Sequence, residues 1–212
     1  MRRILAIASL LLAFTGGTAD AASKRPSEPE FHGVDISHAT AYAQAFRLTD
    51  HEGRVRRLTD FRGKAVVLFF GYLQCPNFCP VTLLRYAQTM ELLGEDAKRV
   101  QVLFVTLDPE RDVPGALKEY FTAFHPSFLG LYDRPETTPE LALRFRIYYK
   151  KVPGLTPGNY HIDHAVFSYA YDPSGRLRLL LRDTLTAEQV ADDLRRLLHN
   201  PMSARGTPQA VH

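Results

Sequence analysis

Residues 65–80 read Ala65-Val66-Val67-Leu68-Phe69-Phe70-Gly71-Tyr72-Leu73-Gln74-Cys75-Pro76-Asn77-Phe78-Cys79-Pro80. The first six are apolar without interruption and rich in β-branched and aromatic types. That is the pattern of a central strand covered on both faces. Gly71 ends the strand. After the two cysteines, Leu83, Leu84, Ala87, Met90 and Leu93 recur at helical spacing and predict a helix over 81–93. Ligands of open α/β sheets bind outside the carboxyl ends of such strands. A thiol near a helix N-terminus also feels positive potential, which favours the thiolate. The thiolate is the form that binds metals and attacks disulfides.

Outward from this stretch the pattern continues as alternating strands and helices. Residues 46–49 and 54–58 flank the turn Asp50-His51-Glu52-Gly53 and predict a β-hairpin. Residues 100–107 form a second buried strand. A helix is expected over 114–124, with Asp112 as its N-cap and Pro114 at an early position, where proline is tolerated. A short strand over 128–131, a helix over 139–145 with Thr138 as cap, and an extended stretch over 147–152 follow. Residues 165–171 and 177–181 flank the turn Asp172-Pro173-Ser174-Gly175 as a second hairpin. Thr186 caps a last helix over 187–198, with Glu188 and Gln189 near its start. Parallel buried strands joined by helices and closed by a hairpin and a helix give an α/β, thioredoxin-like fold with an N-terminal β-hairpin and an inserted helix.

The chain of 212 residues suits one such domain with a proper core. Its start is separate from it. Met1-Arg2-Arg3 is positive, residues 4–14 are apolar except for Ser9, and Ala19-Asp20-Ala21 offers small residues to a signal peptidase. The apolar run is shorter than the ~20 residues needed to span a bilayer. The expected organisation is a signal peptide over 1–21, a loose lead over 22–44, the thioredoxin-like domain over 45–199 and a flexible tail over 200–212. The expected address is the periplasm or another extracytoplasmic space, with membrane anchoring if the signal stays uncleaved. No cysteine near the cut offers a lipid attachment point. Residues 32–43 read as irregular.

Net charge is +3 with His neutral, and basic and acidic residues are interleaved. No basic block with aromatics between them argues for nucleic-acid binding, so nucleic acid is not expected as a partner. The chain has only two cysteines, so a disulfide scaffold is excluded. A disulfide closing so short a loop would add only about 2 kcal/mol. The spacing is also one residue longer than the CxxC of thioredoxins. A peroxidase would want a single activated cysteine with Thr and Arg nearby, and the residues before Cys75 offer neither.

Cys-Pro-Asn-Phe-Cys-Pro after an apolar strand, then Thr106-Leu107-Asp108-Pro109-Glu110-Arg111-Asp112, then Asp163-His164, together resemble the Sco/SenC family. The resemblance runs from about Phe46 to Leu198. It implies a thioredoxin-like fold and a Cu(I) or Cu(II) ion held by Cys75, Cys79 and His164. It further implies delivery of copper to the dinuclear copper centre of cytochrome c oxidase, or reduction of that centre's cysteines. The implied partners are the copper-accepting subunit of the oxidase, other copper chaperones and thiol reductants. In the second role Cys75 and Cys79 would be the catalytic pair. Two thiolates and an imidazole suit copper in either state, whereas structural zinc takes a fourth protein ligand. Simple dithiol exchange does not need His164; copper coordination does.

Some residues depart from the family pattern. Asn77 stands where the family more often has Asp, which removes a negative charge beside the sulfurs but no ligand. Leu73-Gln74 and Ala165 also replace residue types more usual there. His161 lies three residues before His164, so on extended chain the two side chains face opposite ways; it is read as a loop residue or an alternative ligand. Asp108 reads either as an acceptor supporting the site or as a turn residue before Pro109. Glu110, Arg111 and Asp112 read as surface pairs and helix capping. Tyr148, Tyr149, Lys150 and Lys151 read as a partner-facing rim or an edge strand. His32, His38, His51, His125, His199 and His212 read as surface residues.

Overall fold

The computed structural model describes residues 31–39, 41–156 and 159–199. The expected signal peptide, residues 22–30 of the expected lead and the expected tail lie outside them. In chain order the elements are β1 (Val34–Asp35), β2 (Arg47–Asp50), β3 (Val55–Arg57), β4 (Ala65–Gly71), α1 (Phe78–Leu93), β5 (Val100–Thr106), α2 (Pro114–Phe124), β6 (Leu129–Tyr132), α3 (Thr138–Arg144), β7 (Tyr149–Pro153), β8 (Tyr160–His164), β9 (Ser168–Tyr171), β10 (Leu177–Leu181) and α4 (Ala187–His199).

Eight strands form one sheet in the order β1-β10-β9-β4-β5-β6-β2-β3. β4, β5 and β6 run parallel, while β9 adds antiparallel to β4 and β2 adds antiparallel to β6. Every residue of β4 and β5 is buried, as their continuous apolar runs require of strands at the sheet centre. Each large apolar side chain buried there contributes about 1.5–3 kcal/mol. α2 packs closely on β6: a β-carbon at Gly130 would come within 2.8 Å of the Phe121 ring. α4 packs on α1, where the Arg195 guanidinium donates to the Leu92 carbonyl. Thr186 and Gln189 form the reciprocal box at the start of α4: the Gln189 amide donates to Thr186 Oγ1 and the Thr186 amide to Gln189 Oε1. The architecture is the expected α/β, thioredoxin-like one.

Several local expectations are corrected. Residues 32–43 contain a short strand, because β1 pairs with β10 and the amides of His32 and Gly33 donate to the buried Asp193 carboxylate. His51 is buried, not a surface residue: β2 joins β6 as well as β3, and the turn after it folds inward so that Nδ1 accepts from the Gly130 amide. α3 begins at Thr138 itself, one position earlier than expected. Residues 165–167 do not belong to the strand that follows them. β9 begins at Ser168, and His164 instead ends β8, which pairs with β7 in a separate two-stranded sheet.

Candidate metal centre

The carboxyl end of β4 and the start of α1 place the two thiols. α1 starts at Phe78, so Cys79 lies in its first turn and Cys75 in the loop just before it. The Cys75 amide donates to the Tyr72 carbonyl, which turns the loop back towards the helix. No side chain caps α1 at Asn77, and the backbone amides of Cys79 and Asn77 act on the Cys75 sulfur and favour its thiolate. A helix N-terminus with free N–H groups favours negative charge placed there. Cys79 packs under the strand end: a β-carbon at Gly71 would lie 2.5 Å from its sulfur. Glycine at the end of β4 therefore leaves the space that the second sulfur fills.

Both cysteines are free and buried. The Cys79 thiol, donating to Cys75, is the largest influence on Cys75 and lowers its pKa to about 3 against the cost of burial; the His164 ring acts in the same direction. The same hydrogen bond and burial push the Cys79 thiol well above the usual range. The shared hydrogen bond thus favours the thiolate at Cys75 and the thiol at Cys79.

His164 arrives from the β7–β8 hairpin. Its Nδ1 lies 2.8 Å from the Ala165 carbonyl, which can only accept, so Nδ1 carries a proton and Nε2 is the nitrogen left for other partners. Metal-binding histidines are oriented in this way by a carbonyl on the far nitrogen. The Tyr72 ring stands edge-on to the imidazole, 6.0 Å between centroids and 84° between planes. The donor atoms of Cys75, Cys79 and His164 all lie within 4.8 Å of one another. Beside them Tyr72, Cys75, Phe78, His164 and Val166 line a cleft of ≈ 380 Å³ that opens to solvent. The three donors are soft or borderline and few, a set suited to copper.

His161 is not one of this trio: it is exposed, with Nε2 3.4 Å from the Asp163 carboxylate, although it lines the same cleft. Asp108 is fully buried and, as the turn reading expects, sits in a turn. Its backbone carbonyl accepts from the amides of Arg111 and Asp112 in a turn, and its side chain accepts from the Tyr160 hydroxyl at 2.7 Å. Asp112 is corrected: it does not cap α2, whose N-cap is Val113, but is buried and accepts from the Leu73 amide and Thr106 Oγ1. Burial is the main cause raising its pKa to about 6. Arg111 is also corrected, since it lies inside a network between the cysteine loop and β8. Gly71, Tyr72 and Tyr160 shape the site and were not singled out from sequence. Gly71 carried a signal, as a glycine between an apolar strand and a cysteine motif; the two tyrosines carried none.

The SCO1/SenC family model matches residues 34–199. The mitochondrial protein SCO2 homolog of Bos taurus is 38% identical over 153 residues, which cover 71% of this chain and 58% of that protein. The chain thus spans less than two thirds of that relative's length. Among solved structures, copper-bound ScoI of Bradyrhizobium japonicum is 36% identical, with a TM-score of 0.67 over 73% of this chain and 98% of that one. Apo Sco1 of Thermus thermophilus is 38% identical, with a TM-score of 0.70 over 82% of this chain and 100% of that one. The chain belongs to the SCO1/SenC family.

Proposed function

We propose that this chain is an extracytoplasmic copper chaperone that binds one copper ion through Cys75, Cys79 and His164 and passes it to the copper-accepting subunit of cytochrome c oxidase. The observation that carries this reading is the convergence of two sulfurs and an imidazole nitrogen within 4.8 Å at the mouth of an open cleft. The copper bound by the Bradyrhizobium relative supports the choice of metal. With three protein donors and an open side, an acceptor's ligand can enter before a donor's ligand leaves. The secretory reading of residues 1–21 supports export. Among the described residues no helix is long and apolar enough to cross a membrane.

One observation favours a second reading. The two buried thiols touch, and their contact favours a thiolate at Cys75 and a thiol at Cys79, the asymmetry a dithiol reductant uses. In that role the Cys75 thiolate attacks a disulfide of the oxidase subunit and displaces one thiolate. Cys79 then closes the Cys75–Cys79 disulfide and releases the second. Two electrons pass to the substrate, and Cys79's proton goes to a leaving sulfur.

The deciding experiment mixes the reduced, copper-loaded chain with the soluble copper-accepting domain, presented first as a dithiol and then as a disulfide. Chaperone action predicts copper transfer to the dithiol form, abolished by His164→Ala. Reduction of the disulfide form by parent and His164→Ala alike, with no copper transferred to the dithiol, would establish the second reading instead.

A further inference from the structure

β7 and β8 make no ladder bonds to the eight-stranded sheet. An isolated two-stranded ribbon is marginally stable in water, so other contacts must place it. Its third-ligand residue, His164, is therefore not positioned by the main sheet. Ile162 is the one buried residue of β8.

Ile162 packs into the main core, and the turn 108–112 adds the directional contacts. Arg111 donates through Nε to Asp108 and through Nη1 to both Gln74 Oε1 and the Tyr160 carbonyl, each at 3.1 Å. Its guanidinium also lies 3.6 Å from the centre of the Tyr160 ring. The Tyr160 hydroxyl returns to the same Asp108 carboxylate. One residue after Arg111, Asp112 accepts from the Leu73 amide at 3.0 Å. One five-residue turn thus grips the cysteine loop at Leu73 and Gln74 and the histidine-bearing strand at Tyr160. Between the two grips, Tyr72 lies 6.0 Å from the guanidinium and edge-on to His164.

We propose that this turn is a clamp that fixes His164 relative to the two cysteines, with Arg111 and Tyr160 as its positioning residues. The proposal rests on the copper-binding reading above and names what holds the third ligand in place. Arginine is needed because a planar guanidinium can stack on a ring and donate in several directions at once, which an ammonium cannot.

A double-mutant cycle on the reduced full chain tests it, with Cu(II) as probe and electron paramagnetic resonance to read nitrogen coordination. Arg111→Met should lower Cu(II) affinity about tenfold and weaken the nitrogen hyperfine signal, the scale expected when a partner orienting a ligand is lost. In the His164→Ala background the same substitution should change neither. Arg111→Lys should not restore affinity. Tyr160→Phe, which keeps the ring and removes only the hydroxyl, should act in the same direction and decides the matter if Arg111→Met does not fold. Equal losses in both backgrounds, or no loss in the parent background, overturn the clamp while leaving the copper site standing. A parent chain that binds no copper overturns the copper-binding reading itself, and the clamp with it.

Discussion

Gly71 and Cys79 touch so closely that any side chain at position 71 would occupy the space of the second sulfur. A β-carbon there would lie 2.5 Å from Cys79 Sγ and 2.9 Å from the Phe104 ring. Gly71 also pairs with Thr106 in the centre of the sheet, so its backbone cannot retreat without breaking the β4–β5 ladder. Gly71→Ala should therefore cost about 1–3 kcal/mol, the range for overpacking a close-packed interior. It should also weaken copper binding by displacing Cys79. Urea unfolding of the copper-free reduced protein, with a copper titration alongside, measures both; an unchanged unfolding midpoint would show that the contact relaxes freely.

The two thiols differ in acidity although they share one hydrogen bond. Cys75 is drawn down to about 3 by the Cys79 thiol and Cys79 is driven upward by the same partner and by burial. At pH 5 iodoacetamide should modify Cys75 and leave Cys79 untouched. Replacing the donor by Cys79→Ala should move the onset of Cys75 alkylation to higher pH. Mass-spectrometric mapping of the alkylated cysteine across pH checks both statements. Equal labelling of the two thiols would remove the case for a thiolate at Cys75.

Asp112 makes the folded state pH-dependent in a definite direction. Burial holds its proton up to about 6, against an ordinary value of 3.8, so the unfolded chain releases that proton first. Below 3.8 the group is protonated in both states and costs nothing. As pH rises from 3.8 through about 6 the folded state loses up to about 3 kcal/mol relative to the unfolded chain. Asp112→Asn keeps an oxygen to accept from Leu73 and Thr106 but cannot ionise. Its stability relative to the parent should rise between pH 4 and pH 7 by about that amount. Denaturant curves at the two pH values measure it, and a stability difference that does not change with pH would contradict a buried carboxylate of raised pKa.

The parts of this molecule that sequence made legible are those decided locally. The runs 65–70 and 100–107 were legible as central strands because they are apolar almost throughout, and each yields a strand of seven buried residues. The box of Thr186 and Gln189 announced α4, and the Asp172 turn announced β9 and β10. The two cysteines were placed by the strand before them and the helix after them. The histidine was reached by resemblance, and its setting was misread: β8 buries only Ile162, so its pattern gave no separate strand, and His164 looked like the start of the apolar strand that follows. Asp112 sat where an N-cap belongs, and its true partner, the Leu73 amide, lies 39 residues away in the chain. Arg111 and Tyr160 meet across 49 residues, and no local pattern encodes a contact of that kind.

The most direct test of the account is X-ray absorption at the copper edge on the reduced, copper-loaded full chain, parent beside His164→Ala. The parent should show two sulfur neighbours and one nitrogen neighbour, and the variant should keep the sulfurs and lose the nitrogen. A parent with sulfur neighbours alone, or a nitrogen that persists without His164, would contradict a centre built from Cys75, Cys79 and His164.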